Sequence, residues 1–304
     1  MGEPKLRQRI VPQVLVPVLL VLLIGLCATA QTPNTINTIV GGGTNPTSPT
    51  AAFLPLVTGT VKDASNNVYV VVSPLNVVYK ITPQGQMSVF AGNGIAGFSG
   101  DGGPAASAEL YSPVAIALDS AGDLYIADYL NNRVRRVDAT SGVITTYAGS
   151  GNQYDGSGFF GGYSGDGGPA TSAMMNMPSS LAFDVNGNLF VADAGNEVVR
   201  KIDNSTEHII TTYAGNGYPG TPGTANGDGG PATSAELNSY ADEMGVATDA
   251  SGNLYIADSG DSVIRKVDTS TSHIITTYAG SPSHTYTFSG NGGPANQAGL
   301  NAPR

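Results

Sequence analysis

Aspartate and arginine recur at one fixed spacing in this 304-residue chain. In three stretches an aspartate is followed seven residues later by an arginine, whereas an earlier stretch has Val72 and Tyr79 at the two places. The two charges are therefore present together or absent together, as expected of side chains that meet on one face of neighbouring strands. We predict three structural ion pairs rather than six separately solvated charges. The pairs are Asp128 with Arg135, Asp193 with Arg200, and Asp258 with Arg265.

A second set of polar residues lies in four glycine-rich segments. The motif Gly-Asp-Gly-Gly-Pro-Ala occurs at 100–105, 165–170 and 227–232, and Gly-Asn-Gly-Gly-Pro-Ala occurs at 290–295. Oxygen atoms on such a glycine-lined rim could bind a cation or a polar ligand. The alternative is structural, because aspartate caps turns and glycine adopts backbone angles that other residues avoid. The candidate binding residues are Asp101, Asp166, Asp228 and Asn291.

A third set of aspartates begins short turns rich in glycine and asparagine. An aspartate at the start of such a turn accepts a backbone N–H two residues further on. Calcium is the alternative ligand, but it takes roughly six to eight oxygen atoms, and each turn supplies few. We therefore expect no cofactor, with Ca²⁺ as the alternative. The turn residues are Asp63, Asp119, Asp184 and Asp249.

The residues that most often carry catalysis show no convergent pattern. His208 and His273 occupy equivalent places in two repeats, and His284 stands alone in a loop. The segment 97–101 approaches a Gly-x-Ser-x-Gly nucleophile motif but ends in aspartate. The one cysteine excludes a zinc site built from several thiolates. We predict no catalytic residue and no metal site in the chain.

Composition narrows the class of protein further. Glycine accounts for 41 residues, charged residues for 12%, and the formal net charge is −10. A protein gains affinity for nucleic acid by presenting lysine and arginine to phosphate, so we expect no nucleic-acid partner. The low content of charged residues and the many glycines also exclude a coiled coil. A turn-rich, mostly β protein remains.

The first thirty residues have the features of an export signal. Basic residues precede an apolar stretch from Val11 to Leu26, and Ala28-Thr29-Ala30 provides a cleavage site. The uninterrupted apolar part is shorter than the roughly 20 residues that span a bilayer. We therefore predict a signal peptide at 1–30, a secreted, periplasmic or cell-surface location, and no stable membrane span once the signal is removed.

The rest of the chain repeats one unit. Leu-Tyr-Ile-Ala-Asp occurs at 124–128 and 254–258, and Thr-Thr-Tyr-Ala-Gly at 145–149, 211–215 and 276–280. Within a unit, short apolar or alternating runs separated by turn residues indicate four antiparallel strands. Four such strands make a sheet of the size found in a propeller blade. The sequence therefore predicts an all-β fold of repeated sheets.

These motifs resemble the NHL repeat, in the form found in secreted bacterial proteins, over residues 37–304. The resemblance implies a β-propeller with four four-stranded blades in residues 31–304, after the signal peptide, and an orphan strand at about 36–41. Since such propellers are expected to have about six blades, we expect an incomplete ring, an open arc or a fragment of a longer protein. Apolar faces exposed at the end blades could then mediate self-association. The four blades are expected at about 57–92, 114–149, 179–215 and 243–280.

The resemblance identifies a fold and leaves the activity open. We expect a non-enzymatic binding or scaffold module for an unknown protein or carbohydrate ligand, bound on the loop face or in the central channel. The alternative is a lyase or hydrolase of the propeller class, with part of its catalytic residues in blades outside this sequence.

Overall fold

The structure is a computed structural model that describes residues 54–151, 161–241, 243–282 and 287–304. The signal peptide predicted at 1–30 and the orphan strand predicted at 36–41 lie outside the described residues. The elements that follow all belong to one compact unit, Pro55–Arg304.

Sixteen strands form four separate four-stranded antiparallel sheets within the described residues, each in the order of the chain. This confirms the predicted all-β architecture. The first sheet contains β1 (Val57–Lys62), β2 (Val68–Val72), β3 (Val77–Ile81) and β4 (Met87–Ala91). The second contains β5 (Pro113–Leu118), β6 (Leu124–Asp128), β7 (Arg133–Val137) and β8 (Ile144–Ala148). The third contains β9 (Pro178–Phe183), β10 (Leu189–Asp193), β11 (Val198–Ile202) and β12 (Ile210–Ala214). The fourth contains β13 (Gly245–Thr248), β14 (Leu254–Asp258), β15 (Val263–Val267) and β16 (Ile275–Ala279).

Each sheet packs face to face against the next, as the blades of a propeller do. The first strands are neighbours in series, β1 beside β5, β5 beside β9, and β9 beside β13. Apolar residues of adjacent sheets form the core between them; for example, Tyr69 and Val71 of the first sheet belong to the same buried cluster as Ile126 of the second. The second strands are covered on both faces, so they consist almost entirely of buried residues. Burying one such leucine or isoleucine stabilises the fold by about 1.5–3 kcal/mol.

The connection between two sheets covers the outer edge of the following sheet. After β4 the chain passes along β8, where Gly102 N–H donates to Ile144 O (2.8 Å) and Ile144 N–H donates to Gly103 O (3.0 Å). One 3₁₀ turn then leads inward to β5. An unpaired edge strand can pair with another chain, and these segments remove that opportunity from β8, β12 and β16. The equivalent turns of the three connections are Ala105–Ser107, Ala170–Ser172 and Ala232–Ser234, and a matching turn, Ala295–Gln297, follows β16.

The helices of the described residues are 3₁₀ turns of three residues. A second group of them joins the second strand of a sheet to the third, at Ser73–Leu75, Tyr129–Asn131 and Ala194–Asn196. Within the described part of the chain, no helix has the length and apolar composition of a membrane span.

Candidate functional site

The arginine of the third strand lies at the centre of a charged cluster in the second sheet. Arg135 is fully buried, and its register opposite Ile126 directs it along the same face as Asp128. Its Nη1 donates to Asp128 Oδ2 (3.2 Å), and its Nη2 donates to Asp101 Oδ1 (2.6 Å). The same two nitrogens also reach the carbonyls of Glu109 and Ser99. One guanidinium thus joins two carboxylates and two backbone segments.

The inner carboxylate has a complete set of donors. Asp128 Oδ1 accepts the N–H of Tyr111 (2.7 Å), and Asp128 Oδ2 accepts Asn131 Nδ2 (2.8 Å) as well as the arginine. Asp128 is fully buried, as is Arg135. A buried ion pair requires such additional hydrogen bonds, because the removal of both charges from water costs several kcal/mol per ion.

The outer carboxylate ties the connection to the edge strand. Asp101 Oδ2 accepts both the backbone N–H (3.1 Å) and the hydroxyl (2.6 Å) of Thr146 on β8. Its other oxygen is held by Arg135, and its side chain is 37% exposed. Asp101 therefore directs its lone pairs into the blade and onto β8.

The cluster recurs in the third and fourth sheets with the same roles. We call each set of outer aspartate, arginine and inner aspartate a ladder. Arg200 Nη2 lies 2.5 Å from Asp166 Oδ1 and Nη1 lies 3.4 Å from Asp193 Oδ2. Arg265 has the corresponding distances of 2.7 Å to Asp228 and 3.2 Å to Asp258. The structure therefore brings together all six residues predicted as ion pairs and three of the four candidate binding residues.

Asn291 occupies the fourth candidate position without a ladder. It is exposed, as are its neighbours from Gly290 to Gln297. Because the three aspartates are engaged within the molecule, a ligand at these positions would have to compete with Arg135, Arg200 or Arg265. The binding role of the four residues stays a prediction, as does self-association through the end blades.

Burial is the largest single influence on the pKa values of the inner carboxylates Asp128 and Asp193. It raises the pKa of Asp128 and Asp193 to about 6, although backbone and side-chain hydrogen bonds and the arginine act in the opposite direction. Burial also raises the pKa of the outer Asp166, but hydrogen bonds from Thr212 and the charge of Arg200 outweigh it and hold that pKa below its usual value. In the third sheet, Asp166 is thus more readily ionised than Asp193.

Sequence reasoning missed two parts of the cluster. Aromatic rings lie over the buried guanidinium groups, Phe98 at 4.8 Å from Arg135 and Tyr163 at 4.9 Å from Arg200. The second part is the threonine whose backbone N–H donates to the outer carboxylate. The sequence does contain a pattern that could have identified this threonine, because the motif Thr-Thr-Tyr-Ala-Gly recurs in each repeat that has a ladder.

Polar ties between blades were also missed. In each case the side chain of a residue with positive φ, in the loop after the second strand, accepts a backbone N–H. The donor lies in the connection that leads to the first strand of the next sheet. Asn132 Oδ1 accepts Met177 N–H (2.8 Å), and Glu197 Oε2 accepts Ser239 N–H (2.7 Å). Only the short loop itself is apparent from the sequence, since the partner lies 42 or more residues away.

The remaining candidate residues have local roles. Asp119 Oδ1 accepts the N–H of Ala121 and of Asp123 (both 2.9 Å), and Asp63, Asp184 and Asp249 begin equivalent turns. His208 and His273 lie at successive blade junctions, where Nδ1 is 3.3 Å and 3.2 Å from a tyrosine hydroxyl. Within the described ranges, no group of three or more His, Cys, Asp or Glu side chains could hold a metal ion.

Several exposed apolar side chains of the described residues lie at one end of the blades. This end, the connection face, consists of the loops after the second strands and the beginnings and ends of the inter-blade connections. Leu75 is 39% exposed, Tyr111 42%, Ile95 58% and Tyr218 72%. The opposite end is built mainly from polar aspartate turns, with Val185 as its exposed large apolar residue.

Comparison with known proteins gives partial matches. The human protein Teneurin-4 is 37% identical over 163 residues, which are 50% of this chain and 6% of that protein. The Arabidopsis thaliana protein SUPPRESSOR OF QUENCHING 1, chloroplastic, is 29% identical over 128 residues, 41% of this chain and 11% of that protein. The chain therefore spans a small part of these relatives.

A solved structure and a family match support the same fold. An auxiliary nutrient binding protein from Bacteroides ovatus superposes with a TM-score of 0.51 at 14% identity, over 82% of this chain and 53% of that one. Residues 57–203 match the family described as Teneurin NHL domain. Together with the fourfold recurrence of the same sheet, these findings show a propeller-type fold and are consistent with an NHL-repeat family.

Proposed function

We propose that this chain is a non-enzymatic binding module whose ligand, a protein or a carbohydrate, docks on the connection face. The observation that carries the proposal is the set of exposed apolar side chains that the loops present at that end of the blades, Leu75, Ile95, Tyr111 and Tyr218. Binding residues are commonly found on loops that a rigid scaffold positions. Exposed apolar patches on such loops are typical of interaction sites.

The loops that present these side chains are fixed by hydrogen bonds. Ile95 N–H donates to Asn93 Oδ1 (2.9 Å), and Tyr218 N–H donates to Asn216 Oδ1 (3.0 Å), so two connections have the same turn with an apolar residue at its tip. A loop whose backbone is held in this way loses little freedom on binding, which lowers the cost of association. The repetition of the turn supports a role for its tip residue in contact with a ligand.

The test is a binding screen of the full chain against peptide and glycan arrays, followed by affinity measurements on the hits. Tyr218→Ala should weaken a genuine ligand by about tenfold or more, because exposed aromatic anchors dominate interfaces. Val185→Ala is the matched control, since it removes an equally exposed apolar side chain from the opposite end. Equal effects of both variants would contradict the location of the site. Turnover of a lyase or hydrolase substrate by the chain would instead support the enzymatic alternative.

Export is the second part of the proposal, and it rests on the N-terminal segment. Expression with the native N-terminus should give a mature chain that begins at Gln31, outside the cytoplasm. Mass spectrometry of the purified protein measures that terminus directly. A mature protein that retains residues 1–30 would contradict export by signal cleavage.

A further inference from the structure

The fourth sheet differs from the second and third at one position of its ladder. In those two sheets the residue three places after the inner aspartate is an asparagine. Asn131 Nδ2 donates to Asp128 Oδ2 (2.8 Å), and Asn196 Nδ2 donates to Asp193 Oδ2 (2.9 Å). In the fourth sheet this residue is Asp261, which has no N–H to donate.

The replacement puts a second carboxylate into a buried site. Asp258 and Asp261 are both fully buried. Asp258 keeps the N–H of Asn238 (2.9 Å) and Arg265 Nη1 (3.2 Å) but lacks the asparagine donor of the other sheets. It therefore has one hydrogen-bond donor fewer and one like charge more than its counterparts.

Asp261 also holds a connection in place. Its Oδ1 accepts the N–H of Gly223 (2.9 Å), and its Oδ2 accepts the N–H of Ala225 (3.0 Å). These two residues belong to the connection that presents Tyr218 on the connection face. The protonation state of the buried carboxylates can therefore affect that loop through these two hydrogen bonds.

The charges around the site do not balance when both carboxylates are ionised. Arg265 is the cation, and it faces Asp228 from the connection, Asp258 from β14 and Asp261 from the following loop. Glu236 adds a further carboxylate nearby, through its contact with Asn226, whose carbonyl also accepts Arg265. Two buried carboxylates that share one partner do not both ionise readily.

We propose that Asp258 and Asp261 share one proton, and that this proton replaces the missing asparagine N–H and controls how firmly the 223–225 segment is held. With the proton in place, a carboxyl O–H supplies the donor that Asn131 and Asn196 supply elsewhere. When the proton leaves, two buried anions within electrostatic reach repel each other, and the segment is released more often. The pair titrates as a unit.

The electrostatics of the site agree with this arrangement. Burial, and then the charge of Asp261, raises the pKa of Asp258 to about 7. The pKa of Asp261 is also raised, with burial as the main cause. A raised pKa in the folded state means that the folded chain binds more protons than the unfolded chain. The stabilisation is present at acidic pH and is lost as the pH rises through the folded-state value.

Two reciprocal substitutions test the proposal on the full chain. Asp261→Asn gives the fourth sheet the residue of the second and third, and Asn196→Asp gives the third sheet the residue of the fourth. The measurements are the melting temperature and the amide hydrogen-exchange protection of residues 223–225, between about pH 5 and about pH 8.

The expected results are opposite for the two variants. In the wild type, both quantities should fall as the pH rises. Asp128 and Asp193 also have raised pKa values and contribute to the fall in melting temperature, so Asp261→Asn should reduce that fall without abolishing it, and should remove the whole fall in protection. Asn196→Asp should add a new fall in melting temperature over the same range, with the protection at 223–225 unchanged from wild type. The proposal is overturned if Asp261→Asn keeps the wild-type pH profile, or if Asn196→Asp adds no pH dependence. Because both readouts are differences across pH, a constant loss of stability in either variant does not obscure them.

Discussion

Arg200→Met is the most direct test of what the ladders contribute to stability. The methionine keeps most of the apolar volume and removes the guanidinium. Arg200 is fully buried, and it contacts Asp166 at 2.5 Å and Asp193 at 3.4 Å. It also donates to the carbonyls of Met174 (3.3 Å) and Ser164 (3.2 Å), so four polar groups lose a partner.

The expected loss of stability in Arg200→Met depends on how deeply those four partners are buried. Asp166 is 38% exposed, so water can replace the arginine there, whereas Asp193 is fully buried and keeps only two N–H donors. Removal of one partner of a buried ion pair costs about 3–5 kcal/mol. For a unit of this size the melting temperature should fall by roughly 6–20 °C, at about 2–4 °C per kcal/mol.

The assay is thermal unfolding by calorimetry, with two further variants. Lys201→Met is the matched control, because it makes the same change at the next residue of β11, which is only partly buried, and it should cost less than about 1 kcal/mol. Asp193→Asn combined with Arg200→Met removes the orphaned charge, so the double variant should melt above Arg200→Met alone. A single variant within about 2 °C of wild type, or a double variant that melts below the single one, would refute the reasoning.

Two further predictions concern the backbone. Gly165→Ala should destabilise the chain strongly, because the new Cβ would lie 2.6 Å from Ala173 Cα and φ is +89°, whereas Gly167→Ala, with φ of +81° and open space around it, should show only the smaller cost of a strained φ in a melting experiment. Asn132→Ala should cost about 1–3 kcal/mol in denaturant unfolding, because the partly buried N–H of Met177 loses its acceptor. Asn132→Gly tolerates the positive φ and should lose a similar amount, so recovery of wild-type stability by the glycine would contradict a role for the hydrogen bond.

The fold could be predicted from the sequence because its signals are local and repeated. The alternation in Leu124–Asp128 and the turn residues around it define a strand and its ends without any knowledge of the partner strand. The fourfold recurrence then indicates sheets of one kind. The pairing of Asp193 with Arg200 was also accessible, because the first sheet lacks both residues together.

The contacts that complete the ladders could not be predicted in the same way. Asp101 and Arg135 are 34 residues apart and meet only because the connection turns outward along β8 before it turns inward. The sequence motif Gly-Asp-Gly-Gly-Pro-Ala was equally compatible with an exposed rim of aspartates. The path of the connection depends on backbone hydrogen bonds between Gly102, Gly103 and Ile144, and the sequence has no pattern that identifies such partners.

The first sheet indicates which part of the structure the ladders serve. With Val72 and Tyr79 in place of the charges, β1 to β4 still form a complete antiparallel sheet. A ladder is therefore unnecessary for the sheet itself. In the second, third and fourth sheets its outer aspartate bonds to the edge strand and its arginine bonds to the carbonyls of the connection. The ladders thus fasten the connections to the blade edges, where they protect β8, β12 and β16 from pairing with other chains. The same hydrogen bonds hold the connections whose ends form the connection face. The charged clusters inside the blades therefore help to fix the loops that expose the apolar side chains.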